Sequence, residues 1–293
     1  MKVFVTGVKG QLGFDVVNEL NKRGHEPIGV DIDELDITNE QDVSTMIDVV
    51  QPDGVIHCAA WTAVDDAEDN RDKVMEVNAK GTEYIAKACK ELNIPMIYIS
   101  TDYVFNGEGS DAWKPDNKRE PLNVYGESKY RGELAVEELL DKYYIVRIAW
   151  VFGQHGHNFV DTMLNLGKTN DKLTVVNDQI GTPTYTYDLA RLLVDMIEAD
   201  KYGTYHATNE GGYISWYDFT VEIMKQAGEY DESYKNIEVS PVGSDAYPTK
   251  AKRPSNSRMD KSKLVENGFK PLPDWKDALR RYLLDFHTIK KNR

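Results

Sequence analysis

The sequence predicts an α/β fold: a doubly wound parallel sheet with a smaller mixed α/β lobe. Three observations carry that reading. Short apolar runs alternate with amphipathic segments through residues 1–150. A glycine-spaced turn, Gly7-Val8-Lys9-Gly10-Gln11-Leu12-Gly13, separates the first run from the first amphipathic segment. After Trp150 the alternation loses its regularity. Strands alternating with helices form parallel sheets, because each right-handed crossover returns over a face of the sheet. The result is a Rossmann-like sheet covered on both sides.

The elements follow in order. Lys2–Thr6 reads as a strand and Leu12–Arg23 as a helix. Pro27–Asp31 is a second strand and Glu40–Val50 a second helix. Gly54–Cys58 is a third strand, followed by a long helix over Asp72–Leu92 whose alanines allow close packing. Met96–Ser100, Tyr125–Asp141 and Tyr144–Ile148 complete a dinucleotide-binding domain over residues 1–150. Residues 151–293 form most of the second lobe, with at least one return to the sheet. Glycine-, asparagine- and proline-rich loops lie at Gly153–His157 and Asn177–Pro183. Helices are expected at Asp188–Ala199, Trp216–Ala227 and Trp275–Phe286, and Val242–Ser257 is polar with little periodicity.

Composition narrows the function classes. The 293 residues carry a formal net charge of −14. Such a balance argues against nucleic acid as a partner and requires a local basic pocket for any polyanionic ligand. No apolar run reaches the ~18 residues of a membrane span, and the N-terminal residues do not read as a signal peptide. Cys58 and Cys89 lack metal-ligand spacing and read as reduced core thiols of a cytoplasmic protein. The basic end, Lys290-Lys291-Asn292-Arg293, reads as a frayed, solvated terminus.

The glycine loop opens a helix directly after a strand. Glycines there permit a tight turn and close approach of backbone to a pyrophosphate, and the helix N-terminus offers unpaired N–H donors. Gly7, Gly10, Gln11 and Leu12 are therefore candidate contacts of a nicotinamide dinucleotide. Asp31 ends the second strand, where an acid takes the adenosine ribose hydroxyls; a solvated turn carboxylate is the alternative. An acid there favours NADH, whereas Lys9 could offset it and admit NADPH. Asp36 and Ile37 could flank the adenine. Ala59, Ala60 and Thr62 follow the third strand, at the sheet edge where ligands collect.

Tyr125-Gly126-Glu127-Ser128-Lys129 places a phenol and an ammonium on one helical face. The ammonium can lower the phenol's pKa, and Lys129 can also reach a nicotinamide ribose. Tyr125 would then protonate a carbonyl oxygen as hydride reaches the carbon. Ser100-Thr101-Asp102 closes the fourth strand, and a hydroxyl there can hold the ketone. Thr101 is the first choice and Ser100 the second. His155 and His157 lack a third ligand at suitable spacing, so no metal site is expected. Asn158 and Phe159 lie in a loop that could close over substrate.

These residues resemble the extended short-chain dehydrogenase/reductases, and within them the dTDP-4-dehydrorhamnose reductase family. The closer match lies in His57–Asp65, Ser100–Phe105, Pro121–Gly126, Trp150–Gly153, Asn177–Thr184 and Arg253–Arg258, spread over nearly the full length. The resemblance implies reduction of the 4-keto group of dTDP-4-dehydro-L-rhamnose by NADPH or NADH. Thr101, Tyr125 and Lys129 match the family's catalytic positions. Asp102 and Trp150 match positions near the sugar, and Arg253 one in the nucleotide-sugar site. Physical chemistry agrees: a strand-end indole is a platform for a sugar face, and a loop arginine in an acidic protein can pair with a diphosphate.

Two departures stand out. Some relatives carry an acidic, metal-bridged dimer interface, but here Asp15 stands in place of a longer glutamate and Tyr187 in place of another acid. A metal requirement is therefore not expected, and a monomer or weak homodimer is. Trp61 stands where relatives often carry a smaller or polar residue. Among competing readings, a 4,6-dehydratase needs a glutamate after Asp102, where this chain has Tyr103. A 4-epimerase or another nucleotide-sugar reductase remains an alternative. So does a non-catalytic regulatory subunit of the methionine adenosyltransferase type, against which the full Thr101/Tyr125/Lys129 set speaks.

Overall fold

The computed structural model describes residues 1–291. Strand β1 (Lys2–Thr6) is followed by helix α1 (Gln11–Lys22), β2 (Glu26–Val30), α2 (Glu40–Val50) and β3 (Gly54–His57). Helix α3 (Gly81–Leu92), β4 (Met96–Thr101), α4 (Val124–Leu139) and β5 (Tyr143–Ile148) complete the first half. Then come α5 (Phe159–Gly167), β6 (Lys172–Val176), α6 (Thr186–Ile197), β7 (Gly203–His206), α7 (Trp216–Ala227), β8 (Glu238–Val242) and α8 (Trp275–Lys291). The expectation for the basic tail falls on residues 290–293, beyond the side chains the structure describes.

Six strands form one parallel sheet in the order β7-β5-β4-β3-β1-β2. The doubly wound α/β fold expected from the alternation is the fold observed. Its strands are apolar on both faces because helices cover both. Val3, Val5, Ile97 and Ile99 enter a core with Leu12, Val16 and Leu20 of α1 and Leu189 and Leu193 of α6. The alternate residues Phe4, Met96 and Tyr98 enter a second core with Ile47 of α2 and Ile85 of α3. This period-2 division fixes the register, since a one-residue slip would exchange the two faces.

Beyond Trp150 the chain returns to the sheet: β7 pairs with β5, and α6 packs on α1. A third core joins Phe152, Met163, Phe219, Tyr234, Trp275 and Leu279, and β6 pairs with β8 beside it. The parallel order reverses between β1 and β3. The carboxyl ends of these strands leave a crevice there, at the topological switch point.

The long helix expected over Asp72–Leu92 is broken. Arg71–Met75 is α-helical, Glu76–Lys80 makes a π turn, and α3 follows. The π turn brings buried Asn78 inward. Its amide donates to the Trp61 carbonyl (3.0 Å) and to Ser128 Oγ (2.9 Å), and its oxygen accepts from the Trp61 N–H (2.7 Å). Such bulges commonly mark functional sites; here it ties the segment after β3 to α4.

Candidate active site

The crevice is a cleft of about 770 Å³ running along the carboxyl ends of β1–β5. Gly7 adopts φ +71°, and a Cβ on it would lie 2.7 Å from the Ala59 nitrogen. A Cβ on Gly13 would lie 2.2 Å from the Gly7 oxygen. The loop is thus folded too tightly for side chains at either position. Gly10 caps α1 without any side-chain hydrogen bond. The first-turn N–H groups therefore face the cleft with the positive end of the helix dipole, an arrangement that suits a diphosphate. The donor set and the glycine cradle fit a dinucleotide.

Gly7, Gly10, Gln11, Leu12, Asp31, Asp36, Ile37, Ala59, Ala60 and Thr62 all line this cleft, as do Thr101, Asp102, Tyr125, Lys129 and Trp150. Asp31 Oδ2 accepts from the Lys9 N–H at 2.8 Å, so the carboxylate braces the glycine loop. Lys9's ammonium pairs with Asp33. Across the loop, Gln11 donates to the His157 carbonyl (3.2 Å), and Phe14 stacks on His155 at 4.5 Å.

Helix α4 carries Tyr125, Lys129 and Glu133 on one face. Its start is fixed twice over. Asn123 Oδ1 accepts from the Gly126 N–H (2.8 Å), and Glu68 Oε1 accepts from the Val124 N–H (2.8 Å). Tyr98 then donates to the Lys129 carbonyl (3.2 Å), docking the helix on β4. Lys129 is only 3% exposed, and its ammonium sits 4.2 Å from the Tyr98 ring centroid. Burial lowers its pKa to about 7, against an opposing influence from Glu133.

Burial also raises the Tyr125 phenol above its ordinary value; a Thr101 hydrogen bond works the other way, and Asp102 and Tyr103 add to the rise. The expectation that Lys129 pulls the phenol down is therefore corrected: removing the site from water outweighs any attraction by the ammonium. A phenol so held keeps its proton at neutral pH.

Thr101 Oγ1 donates to Asp102 Oδ1 at 3.0 Å, and Ser257 donates to the other oxygen at 2.5 Å. Burial raises Asp102 to about 6. Asp102 thus acts from beneath Thr101, within the wall of the cleft. Ser100, the second choice for the ketone, is committed elsewhere, donating to Glu133 Oε1 at 2.6 Å. Glu133 also accepts from Arg147 at both oxygens (2.8 Å each) and from Arg119 (2.8 Å). Burial opposes its charge, yet the Arg147 and Arg119 hydrogen bonds hold it below the usual carboxylate range. This network was not legible in the sequence, because its members lie far apart along the chain.

A second pocket of about 920 Å³ adjoins the cleft and shares Tyr103 and Trp150 with it. Trp150 holds φ +51°, a left-handed conformation rare for a bulky residue and a form of stored strain at a site. Its ring stacks on Trp216 at 3.7 Å. Arg253 lines the second pocket, where its guanidinium pairs with Asp65 at 2.6 Å and donates to the Tyr103 hydroxyl at 3.4 Å. Sequence reading missed Trp216 and Tyr103; the only hint was that both are aromatics beside strand ends.

Other expectations change. Asn158 and Phe159, expected in a loop, instead start α5: Asn158 caps the helix by accepting from the Asp161 N–H (3.1 Å), and Phe159 packs on Trp216. Asp15 accepts from Thr186 Oγ1 at 2.5 Å, and Tyr187 is half-exposed. Among the described residues no group of three histidines, cysteines or carboxylates could hold a metal ion, and no helix is long and apolar enough to cross a membrane. Trp61 and Tyr125 both pack against the cluster of Ala67, Val74 and Val124.

Comparison with known proteins gives one answer. The family model described as RmlD substrate binding domain matches residues 1–288. The dTDP-4-dehydrorhamnose reductase of Aggregatibacter actinomycetemcomitans is 41% identical over 288 residues, covering 95% of this chain and 97% of that protein. A crystal structure of a dTDP-4-dehydrorhamnose reductase from Clostridium acetobutylicum superposes with a TM-score of 0.93 at 41% identity, covering 98% of this chain and all of that one. The Bacillus anthracis enzyme, solved in complex with NADP, gives 0.90 at 40% identity, covering 97% and 99%. By a family match over nearly its whole length and by these relatives, the chain belongs to the RmlD family of dTDP-4-dehydrorhamnose reductases.

Proposed function

We propose that this protein reduces the 4-keto group of dTDP-4-dehydro-L-rhamnose to give dTDP-L-rhamnose, with NADPH or NADH as reductant. The observation that carries the reading is the convergence of Thr101, Tyr125 and Lys129 in the cleft, with the second pocket opening past Trp150. The relatives supply the identity of the sugar nucleotide.

When bound, the reduced nicotinamide supplies a hydride for the sugar carbonyl carbon. The protein's own residues do the rest. Gly7 to Leu12 hold the diphosphate of the cofactor against the start of α1. Tyr125 gives its phenolic proton to the ketone oxygen, becomes a phenolate and regains a proton from solvent. Thr101 holds the same oxygen. Its single hydroxyl proton must turn from Asp102 to do so, while Ser257 stays on the carboxylate. Lys129 holds the ribose and balances the phenolate. Trp150 carries the sugar face, and Arg253 exchanges Asp65 for the diphosphate of the substrate. Positioning and proton transfer each contribute to rate.

In this reading residues 1–150 bind chiefly cofactor and 151–293 chiefly the nucleotide sugar. The free thiols Cys58 and Cys89 support a cytoplasmic location, and the protein works as a monomer or weak homodimer. The test is nicotinamide absorbance with enzyme, NADPH or NADH, and dTDP-4-dehydro-L-rhamnose. Cofactor oxidation that requires the sugar, with dTDP-L-rhamnose as product, is expected. Tight cofactor binding without sugar-dependent oxidation would reject the substrate.

A further inference from the structure

We infer that this protein prefers NADH to NADPH, because Asp31 and Asp36 line the cleft where it meets the adenosine 2′ position, and Asp33 and Glu34 join Asp31 around the neighbouring Lys9. The inference rests on the nicotinamide reading above and deepens it.

In a sheet of this topology the adenosine ribose lies at the end of β2, with the diphosphate on α1. Val30, Asp31, Ile32, Leu35, Asp36 and Ile37 line that end of the cleft. Asp31 is fixed there by three contacts. Its Oδ2 accepts from the Lys9 N–H (2.8 Å) and its Oδ1 from the Ile32 N–H (2.9 Å), while its own N–H donates to Glu34 Oε2 (3.0 Å). A carboxylate oxygen has two lone pairs, so each still has one for a ribose hydroxyl. A 2′-phosphate brings charge of the wrong sign to those lone pairs, and it lacks the hydroxyl they would accept from.

Lys9 is the residue that could reverse this. Among the described residues that line the cleft, the other lysine is Lys129, at the nicotinamide end. Lys9's ammonium bonds Asp33, and Asp33, Glu34 and Asp31 all favour its charged form. Lys9 and Asp33 are both well exposed, so their pair is weak and can part. The balance of charge does not change when it parts: three carboxylates surround one ammonium. Opposing the phosphate is therefore a property of the rim as a whole, screened by salt.

The test is direct titration of the unliganded enzyme with NADH and with NADPH, read by quenching of tryptophan fluorescence and needing no turnover. NADH should bind about tenfold or more tightly at low salt, the ratio narrowing as salt rises. Asp33→Asn should narrow the ratio about threefold, and Lys9→Met should widen it. NADPH binding as tightly as NADH, or a ratio indifferent to both substitutions, overturns the inference and leaves the reductase reading standing. Failure of both dinucleotides to bind would bring down the reading and the inference together.

Discussion

Replacing Lys129 with methionine should stabilise the cofactor-free protein while abolishing turnover. Lys129 is 3% exposed, and the carboxylate one turn on, Glu133, is already claimed by Ser100, Arg147 and Arg119. Burial moves Lys129 from 10.5 to about 7. At ~1.4 kcal/mol per unit, that shift sets a ceiling of ~5 kcal/mol on the cost of burying the charge. Relaxation and the contact with Tyr98 recover part of it, leaving ~2–4 kcal/mol for a methionine of similar volume to gain. The sign fixes the pH dependence. Below pH 7 the lysine is charged in both states and the whole cost is present. Between pH 7 and 10.5 the unfolded chain holds a proton that the native state does not, so wild-type stability rises with pH. The variant's advantage is therefore full at and below pH ~6.5 and mostly gone by pH ~10. Urea unfolding at several pH values, followed by tryptophan fluorescence, reads it. A variant no more stable than wild type near neutral pH, or a margin that does not shrink as pH rises, would refute the reasoning.

Three further outcomes are expected. Tyr125→Phe removes the proposed proton donor and should lower kcat by roughly 100-fold or more with little effect on dinucleotide affinity; near-wild-type kcat would take Tyr125 out of the mechanism. Gly13→Ala puts a Cβ 2.2 Å from the Gly7 oxygen, a backbone atom with no room to yield, so dinucleotide affinity measured by titration should fall at least ~tenfold. Arg253→Ala should weaken dTDP binding by ~tenfold or more while cofactor affinity stays level, and calorimetry giving equal dTDP affinities would show that Arg253 serves only Asp65.

What the sequence disclosed was whatever has a short period or a short span. The alternation of Val3 and Val5 with Phe4 identifies a two-faced strand, and Tyr125 with Lys129 share a face because four residues make about one turn. Contacts between distant segments left no such trace. Ser257 reaches Asp102 across 155 positions, Arg253 reaches Asp65 across 188, and Trp216 stacks on Trp150 from a different element of the second lobe. The π turn at Glu76–Lys80 escaped because its residues have ordinary helical character; Asn78 adopts its place through tertiary hydrogen bonds. The phenol's pKa was misjudged for a related reason. Spacing reveals that a lysine is near, whereas the removal of water depends on everything packed around the pair.

That dryness accounts for the pairing of these two residues in the proposed reaction. Before proton transfer, burial favours the neutral form of each: the phenol keeps its proton, and the lysine sits near its midpoint at neutral pH. After transfer, a phenolate stands in a site from which water is largely excluded. An isolated anion there is strongly disfavoured. Of the two lysines among the described residues lining the cleft, Lys129 is the one a helical turn from Tyr125 on α4. A protonated Lys129 is then worth more than it was in the resting state, because its charge acts at low effective dielectric on a charge that did not exist before. Had Glu133 been free, it would have neutralised Lys129 in both states and removed the difference. Arg147 and Arg119, by engaging Glu133, keep the ammonium's charge available for the moment when the phenolate forms.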